Sequence, residues 1–136
     1  MRIKAIIIML ALAAGCAPVI RSPGPVPSPG ISNDDIAWEG TLLGLYPMVR
    51  GEESRRLLAL GREAVPGLRA ALAHPDKYAA AHVLLTLIEG NKVEVSATHW
   101  NGLRVSLTGD GRAVLGEGQM DEIRKRWQQP RTDRPF

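Results

Sequence analysis

Residues 76–89, DKYAAAHVLLTLIE, decide the fold. Between Tyr78 and Ile88 only His82 and Thr86 are polar, and a helix apolar nearly all round is one that other elements pack on. The alanines at 79, 80 and 81, with those at 70, 71 and 73 just upstream, leave little side-chain bulk and let neighbouring axes come close. Asp76 is placed to cap the free N–H groups of this helix. The stretch predicts a central core helix with Leu84 in its middle, and His82 on a seam between helices.

Upstream, three shorter helical patterns are expected to lean on it. Asn33-Asp34-Asp35 reads as a helix start, and Trp38, Leu42 and Leu45 follow at i, i+4 and i+7, so a helix is expected over 35–46, ending before Pro47. Gly40 and Gly44 weaken that helix or mark a close approach. The pattern resumes over Glu52–Leu60, with Leu57, Leu58 and Leu60 apolar and Gly61 placed as a C-terminal cap. A third helix opens around Pro66, which a first helical turn tolerates well. Val65, Leu68 and Leu72 share one of its faces, and His74-Pro75 ends it.

Leu58-Ala59-Leu60-Gly61, Glu63-Ala64-Val65-Pro66-Gly67-Leu68, Ala71-Leu72, His74-Pro75-Asp76 and Ala79-Ala80-Ala81 together resemble a HEAT-type repeat. The resemblance covers residues 54–89, little more than one unit, and implies antiparallel helix pairing and a protein-binding surface. Repeat arrays need about three units for a continuous core. A degenerate repeat fused to another element is therefore expected, rather than a free solenoid.

That other element begins near Asn91. Val93, Val95 and Ala97 alternate with polar residues, as a half-buried strand does. Asn101-Gly102 separates Trp100 from the alternating Leu103, Val105 and Leu107, a hairpin signal that rests on two positive φ angles. Gly109-Asp110-Gly111 turns the chain again into Arg112–Leu115. A three-stranded antiparallel meander follows from this pattern. It is closed by a last helix whose Met120, Ile123 and Trp127 form one stripe.

The N-terminal end carries an address. Arg2 and Lys4 precede an uncharged run, Ala5–Ala14, of ten residues, against about 20 for a membrane-spanning helix. Small residues then lead to Cys16, the chain's one cysteine. This is the architecture of a secretory signal peptide. Ala13-Ala14-Gly15-Cys16 resembles a bacterial lipoprotein processing site. That resemblance implies removal of 1–15 and attachment of acyl chains such as palmitate at Cys16. It further implies a place in the bacterial cell envelope, on the outer membrane facing the periplasm, since Ala17 rather than aspartate follows. Ordinary secretion after Ala11-Leu12-Ala13 is the alternative. It would leave a free thiol in an oxidising compartment. Five prolines between Pro18 and Pro29 make 16–32 a lipidated cysteine and extended linker, about 40 Å long.

The full chain of 136 residues has 17 basic and 14 acidic side chains. Losing Met1–Gly15 takes Arg2 and Lys4 away and leaves 15 against 14, so nothing in the charge supports nucleic-acid binding. The organisation expected is a signal peptide at 1–15, the linker at 16–32, a HEAT-like helical part at 33–90, the meander and closing helix at 91–129 and a polar tail at 130–136.

Chemistry is sparse. His74, His82 and His99 have no metal-ligand spacing, so no metal and no cofactor is expected. His74 with Asp76 and Ser96 or Ser106 has the residue types of a triad without any nucleophile-elbow context. Gly109-Asp110-Gly111 lacks the further positions of a calcium loop. Arg124-Lys125-Arg126 reads as a solvated helix face. Trp100 either packs toward the Trp127 stripe or forms an exposed platform for a sugar or a partner. With no catalytic residue assigned, the expectation is an α+β lipoprotein acting as a non-catalytic interaction or scaffolding module, with the membrane and an envelope protein as partners. The alternative is a wall- or carbohydrate-binding hydrolase or accessory using Trp100 and Glu94 or Asp110.

Overall fold

A computed structural model of the chain describes residues 29–90 and 93–130. The segment expected to be a signal peptide, Cys16, most of the proline-rich stretch and the end of the tail lie outside the described residues. In chain order come β1 (Ile36–Thr41), β2 (Gly44–Val49), α1 (Glu52–Leu60), α2 (Val65–Ala71), α3 (Tyr78–Glu89), β3 (His99–Trp100), β4 (Leu103–Leu107), β5 (Ala113–Leu115) and α4 (Met120–Gln128). The fold is α+β: β1 and β2 form one antiparallel pair, and β3, β4 and β5 a three-stranded antiparallel sheet in that order.

The apolar stretch is the central helix. Every residue of α3 from Tyr78 to Thr86 is buried, and Leu84 is 0% exposed. Ala71, Ala79, Ala80 and Ala81 are buried with at most 1% exposure, which lets α2 pack closely along α3, while α1 and α4 also pack on it. Gly90 ends α3 in the left-handed region at φ 63°. Ahead of it, α1 ends at Gly61 as its sequence implies, and Pro66 sits in the first turn of α2.

The start of α3 is capped from a distance. No side-chain cap comes from its own N-terminal flank. The N–H groups of Ala79 and Ala80 instead donate to Asn33 Oδ1 at 2.9 and 3.3 Å. Asn33 in turn donates through its backbone N to Asp76 O at 2.7 Å and through Nδ2 to Pro75 O at 2.9 Å. The helix-start signature at 33–35 is therefore a single 3₁₀ turn that caps a helix over 40 residues further on, and Asp76 does not serve as the cap. Asp35, in the same turn, accepts from Ser32 N at 3.0 Å and from Ser54 Oγ of α1 at 2.9 Å.

The helix expected over 35–46 is not formed; β1 and β2 occupy it as a hairpin, with Thr41 paired to Gly44 and Trp38 to Pro47. The residues read as a helical stripe divide on the two-residue period of a strand. Ile36, Trp38 and Leu45 are buried, whereas Leu42 projects from the turn. Gly44, at φ 119°, decides between the two, because a β-carbon there would meet Ser96 O at 2.8 Å and an α-helix excludes that φ. The residues expected to be helical from 33 onward are so only from Glu52.

The meander has its second and third strands and both turns where expected, but the strand expected on Val93, Val95 and Ala97 is not formed, and its place is taken by the two residues of β3. Ser96 folds 96–99 into a turn, its hydroxyl accepting from His99 N at 3.1 Å while Ser96 N donates to His99 O at 2.9 Å. Only His99–Trp100 pairs regularly with β4, and Val95 is bridged to Trp100. Leu45 N donates to Ser96 O at 3.1 Å, which joins the first hairpin to the second sheet. On α4, Ile123 and Trp127 are buried and Met120 packs beside them, as the stripe implies.

Candidate functional site

Two constellations stand out, one sealed and one open. The sealed one is built around His82. Trp127 Nε1 donates to His82 Nδ1 at 2.8 Å, and an indole can only donate, so Nδ1 carries no proton. The ring hydrogen is therefore on Nε2, which donates to Asn101 O at 2.9 Å. Trp100 and Trp127 pack edge-on against the imidazole at centroid distances of 5.9 Å each, and Trp38 lies edge-on to Trp100 at 6.0 Å. Burial, and secondarily the Arg126 cation, push the His82 pKa down to about 3.

Asn101 is the hub of this node. At φ 48°, followed by Gly102 at φ 85°, it makes the expected positive-φ turn. It is buried rather than displayed. Its Nδ2 donates to Thr86 Oγ1 at 2.9 Å, and Arg126 donates to its backbone O at 3.0 Å and to its Oδ1 at 2.8 Å. A β-carbon at Gly102 would run into that guanidinium. Arg126 thus leaves the basic run of α4, which was expected to be a solvated face, and clamps the hairpin turn. The node is fully engaged within the protein, so its role is to hold β3–β4, α3 and α4 together.

The open constellation is an apolar groove of about 860 Å³ beside the β1–β2 hairpin. Leu45, Pro47 and Val49 of β2 form one wall, with Leu58 from α1 and Leu87 from the end of α3 facing it. Val93, Val95 and Trp100 complete the lining, and Leu43 and Tyr46 stand at the rim. No ionisable side chain but Tyr46 lines it. The Thr41 hydroxyl is occupied, accepting from Leu43 N at 3.2 Å and donating to Gly44 O at 2.8 Å. Above the groove the hairpin tip is bare: Leu42 is 107% exposed, Leu43 89% and Tyr46 60%.

Trp100 is 4% exposed, so the exposed platform considered for it is not formed. It packs edge-on against Trp38 and against His82, which stands between it and the Trp127 stripe it was expected to meet, and it contributes to the groove lining. Of the carboxylates paired with it in expectation, Asp110 is spent on its turn. Its carboxylate takes a short hydrogen bond from Thr108 Oγ1, which holds it below the usual carboxylate range, and lies 3.5 Å from Arg112 Nε. The Ser96 hydroxyl caps backbone N–H groups, and His74 and Asp76 lie on an exposed turn before α3. Among the described residues no three His, Cys, Asp or Glu side chains gather as a metal-ligand set. None of the described helices is long and apolar enough to cross a membrane. Cys16, the expected lipidation site, lies outside the described residues.

The hairpin tip was missed by sequence reasoning because Leu42 and Leu45 fit a helical face as well as they fit a turn and a strand. Gly40, Gly44 and Pro47, all poor helix residues within eight positions, were the available signal. Comparison of the chain with protein-family models, with curated proteins and with solved structures gives no match.

Proposed function

We propose that the chain is a bacterial envelope lipoprotein, tethered through acyl chains on Cys16 to the outer membrane and facing the periplasm, whose domain is a non-catalytic interaction module. The observation that carries the binding role is the groove. It is large enough for a ligand surface, lined almost wholly by apolar side chains and continuous with three exposed ones at the hairpin tip. Its lining suits the binding of apolar surface, Tyr46 and the already hydrogen-bonded Thr41 hydroxyl being the polar exceptions. The helices α1 and α2, each packed on α3, are those that the HEAT-type resemblance draws on. That pair is the surface we assign to an envelope protein partner, by analogy of fold. The carbohydrate reading loses its main support with the burial of Trp100.

The anchor is tested by intact-mass analysis of the native chain. The expected species lacks residues 1–15 and carries the mass of a diacylglycerol group, with or without a further acyl chain, on the N-terminal cysteine. Cys16→Ser is expected to abolish that mass and to release the protein from detergent-dependent extraction. A native chain of unmodified mass overturns the anchor.

A further inference from the structure

The Thr41–Gly44 turn has a composition its backbone does not require. Two-residue hairpin turns favour asparagine, aspartate and glycine at the positions where positive φ is needed. Here the positive φ falls on Gly44, and the two central positions are free to be polar. They are leucines, reaching no core, 107% and 89% exposed. Among the described residues nothing packs over them, and they stand by an apolar groove rather than a polar surface.

We infer that the Leu42–Leu43 tip, with Tyr46 and the groove rim, inserts into the lipid monolayer to which the chain is tethered, so that the domain lies against the membrane instead of standing off it. The inference rests on the anchored reading for the nearness of lipid. Three observations select a lipid surface over other occupants. First, the Leu43 N–H and the Thr41 hydroxyl are satisfied within the tip, Leu43 N donating to Thr41 Oγ1 and that hydroxyl to Gly44 O, which lowers the cost of entering hydrocarbon. Second, Tyr46 is a half-apolar ring with a hydroxyl end, suited to the headgroup level just behind the leucines.

Third, the tether reaches. The described chain starts beside the N-terminal end of α3, where Lys77 Nζ donates to Pro29 O at 3.0 Å. Leu87, at the groove, is about 14 Å further along that helix. Twelve residues separate Cys16 from Pro29, a contour of about 40 Å. That contour exceeds the distance along α3 from its start to the groove. A tether of this length also keeps the tip at high effective concentration over the same leaflet, so a shallow contact suffices. Among the described residues the exposed charges on β1, beside the groove-lining strand, and next to Val95 are Glu39 and Glu94, both acidic, so the contact is apolar rather than an attraction to anionic headgroups.

The test uses the full chain carrying Cys16→Ser and Leu43→Cys, labelled at the single thiol with the environment-sensitive fluorophore NBD. Phosphatidylcholine–phosphatidylethanolamine vesicles are expected to blue-shift the emission and raise it severalfold, equally in 0.5 M salt. Adding Leu42→Asp is expected to reduce the apparent lipid affinity read by the label at least about tenfold, while far-UV circular dichroism stays unchanged, since the residue touches no core. The mass of native Cys16 is scored separately, so a label that stays in water at saturating vesicle concentration overturns the tip and leaves the anchor standing. Conversely, an unmodified native Cys16 removes the tether without altering the tip signal. A blue shift that grows with protein concentration in the absence of lipid also overturns the inference, because it assigns the surface to a second copy of the chain.

Discussion

His82 shows how a titratable side chain in the interior acts on stability without taking part in any reaction. It is neutral in the folded state because burial disfavours its cation and because the Trp127 indole occupies the nitrogen that a second proton would need. In the unfolded chain it protonates near pH 6.5. Between pH 6.5 and about 3 the unfolded state therefore binds more protons, and stability falls as pH falls, by up to about 1.4 kcal/mol per unit. Urea unfolding at pH 7.5 and pH 5 is expected to differ by about 2 kcal/mol on this account. His82→Leu is expected to cost about 1–3 kcal/mol at pH 7.5, because the indole N–H is left buried without an acceptor, and to flatten the pH dependence. Equal slopes for wild type and variant would show that His82 is not the group responsible.

At the scale of elements, the informative case is the start of α3. Local rules point to Asp76, whereas the free N–H groups of Ala79 and Ala80 are taken by Asn33, which stands in a turn leading to a strand. Asn33→Ala is expected to destabilise the fold by about 0.5–2 kcal/mol and to speed amide exchange at Ala79 and Ala80, while Asp76→Ala stays within about 0.5 kcal/mol. If thermal denaturation ranks the two variants the other way, the remote cap is not what stabilises the helix. The same lesson holds for the first hairpin. Trp38, Leu42 and Leu45 satisfy a helical period, and only Gly44, pressed against Ser96 with φ 119°, reveals that the chain reverses between them.

For the whole molecule, α3 is the shared wall of the structure. The helical pair lies along it, Trp127 of α4 is hydrogen-bonded to its His82, and the buried turn at Asn101 locks the second sheet to it. Leu84→Ala is expected to cost about 2–5 kcal/mol by chemical denaturation, because the cavity would open where no flexible edge can close it. A loss below about half a kcal/mol would mean that the centre of the core lies elsewhere.

Read along the chain, residues 52–60, 65–71, 78–89 and 120–128 were legible as helices, and the turns at Asn101-Gly102 and Gly109–Gly111 as turns, because periodicity, capping glycines and positive-φ preferences are local properties. The proposed N-terminal address rests on local properties too: charge, apolar length and one cysteine, all outside the described residues. What no local pattern contained was the partner of each polar group: Asn33 to α3, Arg126 to Asn101, Trp127 to His82. Nor did it contain the emptiness around Leu42 and Leu43. A leucine's apolarity is written in the sequence, but whether it meets a core or water depends on which distant segments close over it, and only the tertiary structure decided that the hairpin tip would be left uncovered.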